Sequence, residues 1–138
     1  MWVLAVLACA TAELRPDADD PQLRPWMIAA DPAEAIAVLK PALAERDAWE
    51  ITRLTPSQGY AELVHYSARM RFADDVVVRA YARPEADSTI VRAFSRSRIG
   101  VFDFGQNRKN LQDLMDAWAA ELKRRGINAA PVGLETAP

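Results

Sequence analysis

The chain has 138 residues and a net charge of −2, with 51% of its residues hydrophobic and 26% charged. That profile fits one soluble domain able to bury its own core, and it argues against a generally basic nucleic-acid binder. A single cysteine, Cys9, excludes an internal disulfide, and a single histidine, His65, excludes a histidine-rich metal site; no cofactor motif is present.

The first twelve residues, MWVLAVLACATA, carry no charged side chain. They are too short to span a bilayer, which needs about 20 apolar residues. They read as an apolar leader or anchor remnant, with Ala10-Thr11-Ala12 as a cleavage pattern and Val6 to Cys9 as a loose lipobox. Residues 13–25 hold Pro16, Pro21 and Pro25 among Asp17, Asp19 and Asp20, which predicts a linker or extended arm. The domain proper is expected over 26–127.

It opens with a helix. Asp31 caps, Pro32 suits the first turn, Glu34 completes a capping box, and Ile36, Leu39 and Leu43 share a face. Pro41 predicts a kink or a restart. Four strands follow, at 49–55, 60–68, 75–84 and 89–97, with PSQG and PEADS as hairpin turns. A last helix carries Leu111, Leu114, Met115, Trp118 and Leu122 as one apolar stripe and ends at Gly126. The tail 128–138 is expected to be loose. The fold class is therefore α+β: about four antiparallel strands with an N-terminal and a C-terminal helix packed on them.

The chemistry concentrates in SRSRIGVFDFGQNRKN, residues 95–110. Strand alternation puts Arg96 and Arg98 on one side and Ser95 and Ser97 on the other. Asp103 is placed to accept from free N–H groups near the start of the last helix, with Asn107 and Arg108 in its first turn. A cation at that positive helix end requires an anion nearby. One reading is a closed network in which Asp74 or Asp75 pairs with a buried Arg98 or Arg108 and locks sheet to helix. The other is an anion site flanked by Arg96, Arg98 and Arg108. The network is favoured, because buried polar groups must find partners and the aspartates supply them. Asp74 and Asp75, adjacent on a strand, point to opposite faces and form no dyad. His65 reads as a satisfied sheet residue.

FADDV (72–76) followed by SRIGVFDFGQNRK (97–109) resembles the bacterial and plastid family of unknown function catalogued as DUF1499. The matching positions are Asp74, Asp75, Ser97, Arg98, Gly100, Asp103, Gly105, Asn107 and Arg108. The family often has arginine where this chain has Phe94 and Asn110, which predicts a reduced version of any site those positions serve. The resemblance implies an envelope or membrane-attached setting and supplies no reaction and no catalytic residues.

The combined expectation is an envelope-associated binding or scaffold domain that recognises an anionic group at the junction 95–110, with the cytoplasm as the alternative location. Its partner would be an anionic ligand or an envelope protein, with membrane contact through the N-terminus. The alternative function is an enzyme for an anionic substrate, with Arg98 and Arg108 as clamp and Asp74, Asp75 or His65 as proton-transfer groups.

Overall fold

The computed structural model describes residues 11–68, 71–99 and 105–133. Three short strands come from segments read otherwise: β1 (Thr11–Glu13), whose first two residues fall in the expected leader, and β2 (Trp26–Ile28) and β7 (Ala129–Pro131), which lie beside prolines. Four longer strands supply the centre: β3 (Trp49–Thr55), β4 (Tyr60–Tyr66), β5 (Ala73–Arg83) and β6 (Ser88–Ser97). Together they form one antiparallel sheet of seven strands in the order β3-β4-β5-β6-β2-β7. β1 lies beside β6 as well, end to end with β2: Thr11 to Glu13 pair with Arg96 to Phe94, and Trp26 to Ile28 pair with Val91 to Thr89. The expected four-stranded sheet is thus the middle of a larger one. Three-residue strands carry no readable alternation, and Pro131 is tolerated because β7 is an edge.

The two long hairpins are built alike. Pro56–Gln58 and Pro84–Ala86 each form a 3-10 turn that exits through a left-handed residue, Gly59 at φ 60° and Asp87 at φ 51°. Gly59 is required twice over, since a Cβ there would also sit 2.5 Å from the Ala80 carbonyl oxygen.

The N-terminal helix is two short pieces, α1 (Pro32–Ala37) and α2 (Leu39–Leu43). The Asp31 side chain caps α1 by accepting from the Glu34 N–H at 2.8 Å. The break falls at Val38, not at Pro41 itself. A proline removes the bond to the carbonyl four residues back and crowds it, and that carbonyl belongs to Ala37. The C-terminal helix α3 (Gln106–Arg124) buries all of Leu111, Leu114, Met115, Trp118 and Leu122. It ends in a Schellman turn, with Gly126 N–H on the Lys123 carbonyl and Ile127 N–H on the Leu122 carbonyl.

The helices share one face of the sheet. Their buried side chains meet Leu63, Val76, Val78, Val91 and Ala93, and the Trp118 indole N–H donates to the Ala35 carbonyl at 3.0 Å. Residues 13–25, expected as a linker, lie against this core. Leu14 and Leu23 are buried, Arg15 N–H donates to the Leu23 carbonyl, and Asp20 caps the 3-10 turn Pro21–Leu23. The tail expected to be loose supplies β7. Cys9 and the rest of 1–10 lie outside the described residues. Among those described, no helix is long and apolar enough to cross a membrane.

Candidate functional site

The residues singled out from 74–108 separate into three environments. The first is buried between sheet and α3. Asp74, on the core face of β5, is 4% exposed, and its Oδ2 accepts from Asn110 Nδ2 at 2.8 Å. Asn110 in turn accepts from Gln106 Nε2 at 2.7 Å and approaches Ser95 Oγ at 3.3 Å. Ser95 Oγ donates to Asn107 Oδ1 at 2.6 Å, and Asn107 Nδ2 donates to Ser97 Oγ at 2.8 Å. Alternation along β6 turns both serines inward, and the first turn of α3 brings both asparagines down on them. Sheet and helix are therefore locked by amides and hydroxyls around one carboxylate. No arginine takes part in these bonds: of the expected pairings of Asp74 or Asp75 with Arg98 or Arg108, Asp75 with Arg98 is made, but on the outer face and not as a lock between sheet and helix.

His65 extends this environment. It is the cross-strand partner of Asp74 and is 6% exposed. Its ring meets Trp49 edge-on, with centroids 4.9 Å apart, and its buried Nδ1 has no hydrogen-bond partner, so it is not the fully satisfied residue expected. Burial holds its pKa below the ordinary value, against the opposing pull of Asp74 and Asp113.

The second environment is the uncovered sheet face. Asp75 points there, and Arg98 grips it with Nη2 2.8 Å from Oδ1 and Nε 3.0 Å from Oδ2. The pair is about half exposed, at 48% for Arg98 and 51% for Asp75, and the bonds to Asp75 raise the Arg98 pKa. It lies on the outer surface and does not reach α3. Arg96, across from Asp75, is exposed and has no acidic partner among the described residues. The same face carries groups that no sequence motif marked. Arg79 and Arg92 are direct cross-strand partners, and Arg53 and Arg79 lie over the Tyr60 ring at 5.6 and 4.8 Å. Their signal was the alternation in VVVRAYARP and TIVRAFSRS, but only the register shows which arginines meet.

The third environment is a cleft of about 570 Å³ beside β1, where exposed Arg108 stands with Glu13, Arg15, Asp20, Phe94 and Leu111. Asp103 lies outside the described residues. The sheet separates Arg98 and Asp75 from Asp74 and His65, so of the clamp and proton-transfer groups imagined for an enzyme, Arg98 and Asp75 are the ones in contact. Among the described residues, no group of three or more His, Cys, Asp or Glu side chains could hold a metal ion.

No curated protein and no solved structure matches the chain. The profile of the proteins of unknown function DUF1499 matches residues 7–118, which takes in β1, the central hairpins and most of α3. The chain therefore belongs to the DUF1499 family.

Proposed function

We propose that this domain is a binding or scaffold module of the cell envelope that recognises an anionic group through the outward-facing arginines of the strand-to-helix junction. The observation that carries this reading is Arg96. It is exposed and lacks an acidic partner among the described residues, while the carboxylate opposite it, Asp75, is engaged by Arg98. A guanidinium left without an anion on a sheet surface is a ready donor for phosphate or carboxylate. The envelope setting is supported by the uncharged start of the chain.

The test is thermal unfolding with phosphate against chloride at constant ionic strength. Phosphate at about ten times its dissociation constant should add about 1.4 kcal/mol, a rise of several degrees. Arg96→Ala should lose most of that rise. Equal melting temperatures in the two salts would remove the anion reading. Recovery of the tagged full chain in the cytosol of spheroplasts, with none in the periplasmic or membrane fractions, would remove its envelope half.

A further inference from the structure

We infer that the uncovered sheet face docks flat on an anionic phospholipid bilayer; this rests on the anion reading above and names its partner. The helices cover one face only, and on the other the side chains of Asp75, Arg79, Tyr81, Arg92, Phe94 and Arg96 are exposed. Of the acids there, Asp75 is paired by Arg98, while Glu50 and Glu62 accept from the Tyr66 and Tyr60 hydroxyls at 2.8 and 2.6 Å and keep their charge. Glu13 remains, opposite Phe94. Arg53, Arg79, Arg92 and Arg96 have no ion pair among the described residues. Arg79 opposite Arg92 sets like charges across adjacent strands, an arrangement that weakens a sheet. Arg53, Arg79, Arg92, Arg96 and Arg98 outnumber Glu13, Glu50, Glu62 and Asp75 on this face, a small positive excess on a chain whose net charge is −2.

A planar anionic surface fits this pattern better than a nucleic acid strand. It meets the arginine face and leaves the acidic remainder of the molecule turned away. The one ring at the centre of the arginines, Tyr60, has guanidinium groups over it, which obstructs the stacking that single strands use. Tyr81 and Phe94, at 47% and 38% exposure, are side chains suited to the headgroup boundary.

Each arginine near an anionic leaflet strengthens binding about fivefold. The experiment uses the full chain with vesicles of phosphatidylcholine alone and of phosphatidylcholine with phosphatidylglycerol. Stronger binding to the second is expected, and Arg79→Glu with Arg92→Glu should reduce it more than tenfold while leaving binding to the first unchanged. Lys40→Glu with Lys123→Glu, the same charge change on the helices, should leave the preference intact. Melting curves establish that each variant is folded; the first pair keeps like charges across the strands, negative in place of positive, so no gain in stability is expected from it. Equal binding to both vesicles, or a preference that survives the Arg79 and Arg92 reversals, overturns the inference. So does a single-stranded oligonucleotide that displaces the vesicles. Phosphate stabilisation without vesicle binding removes the bilayer and keeps the anion reading, whereas loss of both removes both.

Discussion

Asp74 and Asp75 are chain neighbours with opposite surroundings, one sealed under α3 by an amide and the other half exposed against a guanidinium. The position of each pair decides its worth. An exposed ion pair contributes about 0–1 kcal/mol, so Arg98→Ala should cost no more than about 1 kcal/mol, far less than a buried pair would. Asn110→Leu should cost about 2–3 kcal/mol, because it leaves the Asp74 carboxylate buried without its donor. Urea unfolding of the two variants separates them, and equal costs would mean that Arg98 is shielded. His65 gives a pH signature. Its folded pKa lies below 6.5 because burial disfavours the imidazolium, despite Asp74 and Asp113 nearby and with Lys109 acting in the same direction as burial. Its contribution is therefore fully present above about 6.5 and declines as pH falls through the folded value. His65→Phe should flatten that part of the stability–pH curve; an unchanged slope would assign it to the carboxylates. The inward and outward directions of 74 and 75 were legible from strand alternation alone. The partner of Asp74 was not, because asparagine and serine carry no charge to advertise a pairing.

Continuity of pattern decided which elements could be read. The stripe of α3 runs from Leu111 to Leu122 within a helix of 19 residues, and all five of its named members are buried. β1 and β2 have three residues each, too few for alternation to register. Their weight shows in packing. Leu14, just after β1, is 2% exposed, and Leu14→Ala should cost about 2–5 kcal/mol, in the range of Trp118→Ala at about 3–5 kcal/mol. Asp116→Ala, on the exposed side of α3, should stay within about 0.5 kcal/mol. Chemical denaturation of the three variants checks the ranking. A Leu14 variant as stable as the Asp116 one would return residues 13–25 to the status of a linker.

For the molecule as a whole, the α+β class and the antiparallel hairpins were legible because turns as short as PSQG allow no crossover. What was not legible is the closure of the sheet. β1 and β2 complete β6 from the far end of the chain, and register then collects arginines from separate strands onto one surface. This connectivity also sets an order of events during synthesis. β1 and β2 wait for their strand partner until Ser88–Ser97 has been made, and β7, which flanks β2, is made later still. Contacts so distant along the chain close slowly. The hairpins and their local turns can form while β1 and β2 are still undocked, so these two strands stay open to other partners until β6 has been made.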